Sequence, residues 1–438
     1  MRMLQKHYFL MWHSETQYKR ITQRFLVASL TAFLLLNIVW ALSIGHGFDF
    51  SSLYASGQAV RMGLNPYDIY PPLTHYTEEG RFSGGGWNPN LNSPLSLPLL
   101  SLLTQVDITT AFYGFFLAGL CLYILILRRL MKSSPVPITP VRLLWAANIT
   151  GLWFTLGLGQ IYIPLLLLAT TALLLLEQKR YRAAGIVLGT LAALKPNFAI
   201  WIGIMLSAGY WSAASFAILT GAVLSLIPVL LYSPNIYAMW LEAIVKYPKV
   251  TYIGNISLQS LGTKLHSPTL GYALTALVFL WLIGRLIRSR PSILQASRIG
   301  LTASVLLSPV AWTSYTVFLV PVLFSQSWSA ASGIAAAIFL FPTMLVFYWA
   351  DRSQLHALFV GTIYTIGLLV LLAELAGLEV RSVQRVRDVL AKSARRFARS
   401  GSPRPETMLR AKTAHQATIY GLQEGIKGEQ ETGHNNKE

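Results

Sequence analysis

The chain has 438 residues, of which 54% are hydrophobic and 12% charged, with a formal net charge of +18 and a mean hydropathy of +0.50. A soluble domain carries about a quarter charged residues, so this balance excludes an ordinary water-soluble globule. The basic excess does not point to nucleic acid, because Lys and Arg gather at the ends of apolar runs, where the positive-inside rule places them in the cytoplasm. The lone Cys121 lies in an apolar run and excludes both an intrachain disulfide and a cysteine metal site.

Apolar runs able to cross a ~30 Å hydrocarbon layer recur from Phe25 to Gly377. Each crossing must satisfy its own backbone, and continuous Leu/Ala/Ile runs without alternation favour helices over a barrel. Residues 1–24 carry Arg2, Lys6, Lys19, Arg20 and Arg24 and are expected in the cytoplasm. Phe25–Ser43 is too long for the core of a cleavable signal and reads as the first span. Residues 45–107 form a first external loop, with Arg61 and Arg81 set against Asp49, Asp68, Glu78, Glu79 and Asp107. Within it, Ser51–Met62 is predicted as a short surface helix, and Leu91–Leu103 as a Pro-punctuated segment on or dipping into the membrane.

Spans are then expected at Ile108–Leu127, Leu143–Leu158 and Ile161–Leu176. Two short helices, Ala183–Leu194 and Phe198–Ala208, meet at Lys195-Pro196 near the outer face. After Ala213–Leu231 comes a second external loop, residues 232–268. Leu270–Leu286, Ile299–Leu307, Tyr315–Phe324, Ser329–Trp349 and Leu355–Ala376 complete a transmembrane domain over residues 25–378. The expected fold class is all-α, a polytopic transmembrane helix bundle of about twelve spans whose external loops carry short surface helices. An even count puts both termini in the cytoplasm, where residues 379–438 form a basic tail that ends disordered.

No phosphate-binding, metalloprotease or nucleophile-elbow motif stands in a suitable context, so no cofactor is expected. The scattered acids lack a ligand cluster, so no metal is expected either. The informative residues are polar ones at the outer ends of spans. Asp49 in GFDFSSLY suits a general base held near the membrane, or an N-cap of the helix that follows. Lys195 in LAALKPNF is a cation deep in an apolar unit, suited to a lipid phosphate or to snorkelling at a helix end. Pro196 favours the first role, because it opens the helix toward a cavity. Asn65-Pro66-Tyr67-Asp68 is a turn signal. Asn255 in GNISLQS suits a hydroxyl or phosphate contact, plain surface decoration, or a glycosylation acceptor. Gln160 lies at a tight outer turn, and Trp312 and Tyr315 begin an outward junction where aromatics also serve as interfacial anchors.

The order of these pieces carries a resemblance. An Asp after the first span precedes Y-A-x-G-x-A-x-x-x-G-x-N-P-Y-D, from Tyr54 to Asp68. N-x-N-S-P-L, G-Q, A-A-L-K-P, N-x-S-L and S-P-x-x-W follow in sequence. From about Asp49 to Tyr315 the chain resembles glycosyltransferase family 87, polytopic GT-C enzymes that include polyprenyl-phosphate-mannose-dependent mannosyltransferases. The resemblance implies a GT-C fold and an active site on the external, periplasmic face of the plasma (inner) membrane. It implies transfer of a hexose, with mannose favoured, or a pentose from a polyprenyl-phosphate sugar to a glycolipid or glycan acceptor. The partners are then that donor, that acceptor and membrane lipids, without nucleic acid.

By position, Asp49 resembles the family's catalytic base and Lys195 its phosphate-contacting lysine, with Ser314 and Asn255 beside the donor phosphate. Tyr54, Arg61, Asn65, Tyr67, Asp68, Gln160, Trp312 and Tyr315 become candidates for the substrate cavity. One departure stands out. Where the family often has a histidine two residues after the Trp of S-P-x-x-W, this chain has Ser314, which donates a hydrogen bond but carries no charge. Compensation by Lys195 with Arg61 or Lys246, a different donor, or a weakened site all follow from that change. A transporter or lipid flippase, and a scaffold that has lost catalysis, are the alternative readings.

Overall fold

Helix punctuation in the sequence accounts for most element boundaries. The computed structural model describes residues 2–43, 47–68, 88–246, 254–324, 326–350 and 352–378. Part of each expected external loop (69–87 and 247–253) and the expected tail (379–438) therefore lie outside the described residues. Among the described residues, the regular structure is helical, apart from one isolated antiparallel bridge between Asn255 and Trp312.

Helix α1 runs Arg2–Ser43 and α2 Phe48–Arg61, and a 3-10 turn at Pro94–Ser96 leads into α3, Leu97–Leu103. Then come α4 (Ile108–Ser133), α5 (Pro140–Asn148), α6 (Thr150–Leu158), α7 (Tyr162–Glu177) and α8 (Tyr181–Leu194). A 3-10 turn at Pro196–Phe198 precedes α9 (Ala199–Ser207) and α10 (Trp211–Leu231). The chain continues through α11 (Ile236–Lys246), α12 (Leu258–Lys264), α13 (Pro268–Ser289) and α14 (Ile293–Leu306). A 3-10 segment, Thr313–Leu319, runs into α15 (Val320–Phe324), followed by α16 (Ala330–Ile338), α17 (Thr343–Ala350), α18 (Gln354–Phe359) and α19 (Ile363–Leu375).

Caps explain the starts. Asp107 accepts from the Thr110 N–H at 3.0 Å before α4, and Thr139 accepts from Arg142 N–H at 3.3 Å before α5, whose first residue is Pro140. Ser329 and Ser332 form a reciprocal capping box at α16. Residues 2–43 contain no glycine or proline. Helix α1 therefore continues through Arg24, where a change from cytoplasmic segment to span was expected, and its span-like part is Ile21–Ala41.

Among the described residues six helices are long and apolar enough to cross a membrane, or seven if α16 and α17, bent by 75°, form one broken span. The expected twelve are not reached by that criterion. The physical reason is burial. Helices facing lipid must match its thickness, whereas helices enclosed by protein need not. Thr313–Phe324 is buried throughout, as is Ile299–Ser308, and these short apolar segments form the inner layer. The outer helices are the opposite. Leu219, Leu226 and Leu230 of α10 and Leu277 and Leu280 of α13 are all exposed, a surface suited to hydrocarbon and ill suited to water. Asn148 fastens α1 to this core, donating to the Leu30 carbonyl at 2.9 Å and accepting from Asn37 at 3.1 Å. The chain is an all-α membrane helix bundle.

Candidate active site

Helix α2 begins after Gly47, whose φ of 64° favours glycine, and whose N–H donates to the Gly157 carbonyl at 2.9 Å. Asp49 falls in the first turn but does not cap the helix; Gly47 holds the cap position without a side-chain bond. Asp49, Ser52 and Leu53 share one helix face at i, i+3 and i+4, and all three line a cavity of about 340 Å³.

Both carboxylate oxygens of Asp49 accept amide N–H groups. Asn88 Nδ2 donates to Oδ1 at 3.2 Å, and Gln160 Nε2 donates to Oδ2. Gln160 owes its place to the end of α6. The Gln160 N–H returns to the Thr155 carbonyl (2.9 Å) and the Gly159 N–H to that of Leu156 (3.2 Å), a Schellman closure with Gly159 at φ 73°. A Cβ on Gly159 would lie 2.5 Å from the Phe50 Cβ, so only glycine lets α2 sit directly against this turn. Burial raises the Asp49 carboxyl above the usual carboxylate range. Hydrogen bonds from Gln160 and Asn88 and the charge of Lys195 pull it partly back.

Lys195 ends α8. Its extended backbone (φ −143°, ψ 94°) is the conformation a following proline enforces, and its N–H still reaches Leu191 at 2.9 Å. The side chain lines the same cavity as Asp49. Nζ donates to Asn92 Oδ1 at 3.1 Å and lies 5.3 Å from the ring centroid of Tyr162 and 5.7 Å from that of Tyr315. The ammonium thus sits between aromatic faces and amides, beside a partly buried carboxylate.

The third wall is the stretch Asn88-Pro89-Asn90-Leu91-Asn92, every residue of which lines the cavity. Asn88, Asn90 and Asn92 are each at least nine-tenths buried. Sequence reading passed over their individual roles, although two of them open the N-x-N-S-P-L motif. Ser93 anchors the stretch, donating to the Ala193 carbonyl at 2.5 Å, two residues before Lys195.

The fourth wall is Trp312-Thr313-Ser314. It is braced by residues 254–256, of which Gly254 also lines the cavity. Thr313 N–H donates to the Gly254 carbonyl at 3.0 Å, and Ile256 N–H to that of Ala311 at 2.7 Å. Asn255 Oδ1 accepts from the N–H groups of Ser257 and Ala311, both at 3.1 Å. Asn255 is fully buried and is not among the cavity-lining residues, so it supports the wall rather than reaching the space in front of it. Gly151 of α6 lets this segment pack closely, since a Cβ there would lie 2.7 Å from the Ser314 carbonyl oxygen. Ser314 Oγ is buried and lacks a protein partner among the described residues.

The cavity therefore unites Asp49, Gln160, Lys195, Trp312 and Ser314. Other expected cavity residues are turned elsewhere. Tyr54 donates to the Val106 carbonyl at 2.7 Å and Arg61 to that of Thr104 at 2.6 Å, because they lie off the Asp49 face of α2. Asn65 accepts from the Tyr67 N–H at 3.0 Å, the Asx turn its Asn-Pro sequence favours. Tyr67 is buried and donates to the Asn92 carbonyl at 3.2 Å, behind the asparagine stretch, and Asp68 is exposed. Tyr315 is buried, with its ring 4.7 Å from that of Tyr162. Lys246, a suggested substitute for the absent histidine, is exposed and pairs with Glu242 at 2.6 Å.

A family model for glycosyltransferase family 87 matches residues 90–309, half of the chain. The chain belongs to glycosyltransferase family 87. The match takes in Asn90, Asn92, Gln160, Lys195 and Asn255; Asp49 lies well before it and Trp312 and Ser314 just after it, on segments that line the same cavity. No curated protein and no solved structure gives a significant match. As a family 87 member carried on a multi-pass helix bundle, the chain is a membrane glycosyltransferase with a sugar donor and an acceptor as substrates.

Proposed function

We propose that this glycosyltransferase takes its sugar, mannose first among the candidates, from a polyprenyl phosphate and passes it to an acceptor hydroxyl on the external face of the plasma membrane. The observation that carries the reading is one cavity lined by a partly buried carboxylate and a partly buried ammonium, Asp49 and Lys195, within a membrane bundle. A lipid phosphate suits this arrangement. Its prenyl chain stays in hydrocarbon while the head group alone enters a space of about 340 Å³.

In this mechanism Asp49 accepts the proton of the acceptor hydroxyl. The oxygen attacks the anomeric carbon as the bond to the phosphate oxygen breaks, and the prenyl phosphate leaves with the electron pair. Its charge is met by Lys195, with Ser314 as a further hydrogen-bond donor. Gln160 and Asn88 act as positioning residues, fixing the carboxylate through one oxygen each. A raised carboxyl suits a base, which gains proton affinity while remaining ionised above its own titration point. Inversion at the anomeric carbon is the stereochemistry a single displacement gives.

The test is to supply membranes containing the protein with polyprenyl-phosphate mannose, glucose, galactose or arabinose and analyse extracted lipids and glycans by mass spectrometry. Sugar transfer from one of these donors, absent from membranes lacking the protein, is expected. Transfer only from a nucleotide sugar, or transbilayer movement of the lipid without transfer, would overturn the reading.

A further inference from the structure

We propose that Asn90 is a second donor-phosphate ligand, oriented by Lys195 through Asn92. The inference rests on the polyprenyl-phosphate reading above and adds to it a residue and a direction of hydrogen bonding.

The orientation of both amides follows from the partners they must satisfy. The Lys195 ammonium can only donate, so the Asn92 atom 3.1 Å from it is Oδ1. The Asn92 NH2 then points the other way and donates to Asn90 Oδ1 at 3.0 Å. That same Oδ1 also accepts the Asn92 backbone N–H at 3.0 Å. With its oxygen engaged by two donors, Asn90 has its NH2 end fixed on the opposite side. Among the described residues Asn90 Nδ2 has no protein partner; it is buried, on a residue only 3% exposed that lines the cavity. Flipping the Asn90 amide would set NH2 against two donors, and flipping Asn92 would set NH2 against the ammonium.

The chain of bonds runs Lys195 to Asn92 to Asn90. Each acceptor is polarised toward the cation, which strengthens the next N–H as a donor. Its last group is an amide N–H that can only donate, on a residue that lines the space Lys195 also lines. An anion is the better complement, because it accepts a charge-assisted bond from this donor and pairs with the Lys195 ammonium, whereas a sugar hydroxyl accepts only a neutral one. The asparagine stretch thereby divides its work. Asn88 serves the carboxylate of Asp49, and Asn90 with Asn92 serves the anion facing Lys195. Ser314, whose Oγ is also buried and lacks a protein partner among the described residues, lines the same cavity from another segment. These two neutral donors, together with Lys195, are the groups that the structure offers a phosphate in a chain lacking a histidine at position 314.

The test measures affinity rather than turnover, using full-length protein in nanodiscs and a polyprenyl phosphate without sugar. Native mass spectrometry compares its binding with that of the matching polyprenyl alcohol and with inorganic phosphate as a competitor. Wild type is expected to prefer the phosphate over the alcohol. Asn90→Ala should weaken phosphate binding about tenfold or more and leave alcohol binding unchanged. Asn92→Ala should weaken it too. Asn90→Asp keeps the oxygen that accepts from Asn92, so it preserves the fold if the alanine variant does not; it should abolish the preference by repulsion. Phosphate affinity unchanged in the Asn90 variants, with loss in Lys195→Ala, would overturn this inference and leave the donor reading intact. Loss of competition by inorganic phosphate alone, with polyprenyl phosphate affinity unchanged, would overturn it as well. A wild type that does not distinguish polyprenyl phosphate from the alcohol would overturn the donor reading, and this inference with it.

Discussion

Lys195 and Lys264 show two ways of burying a lysine in one bundle. Lys195 stands at a proline break between α8 and α9, partly exposed to the cavity, with Asn92, two tyrosine rings and the Asp49 carboxylate around it. Lys264 closes α12 with 8% exposure and donates to two backbone carbonyls, Asn255 at 3.1 Å and Gly361 at 2.6 Å. It lies behind the wall that Asn255 and Trp312 form by their backbone bridge. On the proposed reading, the difference separates chemistry from support. Lys195 keeps its charge facing a space that a ligand can enter, while Lys264 turns its donors on the protein and ties the loop to the start of α19.

Removing the carboxylate beside Lys195 should have the largest effect. Asp49→Asn keeps the shape and loses the base, so the transfer rate should fall on the order of 10²–10⁴-fold. The melting temperature should stay the same or rise, since a charge that partial burial disfavours is removed. Lys195→Ala should lower the rate about 10²–10³-fold and raise the donor KM, again with little change in thermal stability. Retention of full turnover by either variant would break the contrast with Lys264.

Lys264→Met should invert the pattern. Leaving two buried carbonyls without a donor costs about 1–3 kcal/mol, read as a lower melting temperature, with activity falling only as the Trp312 wall loosens. The pH dependence sharpens this. Burial pushes the Lys264 ammonium down to about 8, below its ordinary 10.5. Between those values the unfolded chain holds a proton the folded chain has released, so folded-state stability gains with rising pH across that window. The wild-type melting temperature should therefore rise relative to Lys264→Met from about pH 8 upward. The smallest effect concerns Asp49. Its carboxyl is raised by burial, so the acid limb of the pH–rate profile should lie above that of an ordinary aspartate and move further up in Gln160→Leu, which removes one stabilising hydrogen bond.

Much of this site was legible in the sequence, for local reasons. Asp49 follows a span, Lys195 interrupts an apolar unit before a proline, and Gln160 follows the glycine of a helix stop. Each signal is contained within a few residues. The asparagine network was not legible, because Asn92 and Lys195 are 103 residues apart, and no periodicity or composition records such a contact. Asn255 resembled a surface loop residue, yet the loop folds back on the 311–313 strand-like segment and buries it. Tyr54 and Arg61 belong to the motif that follows Asp49, but the helical turn of α2 carries them to other faces. The span count exceeded the long helices found because apolar composition cannot distinguish a helix facing lipid from one enclosed by other helices.

The most direct measurement is transfer by purified wild type and Asp49→Asn, matched for melting temperature, with a polyprenyl-phosphate sugar as the sole donor and product formation read in a single turnover. The cavity chemistry predicts product from the wild type and at least a hundredfold slower formation from the variant. Equal rates from the two proteins would contradict it.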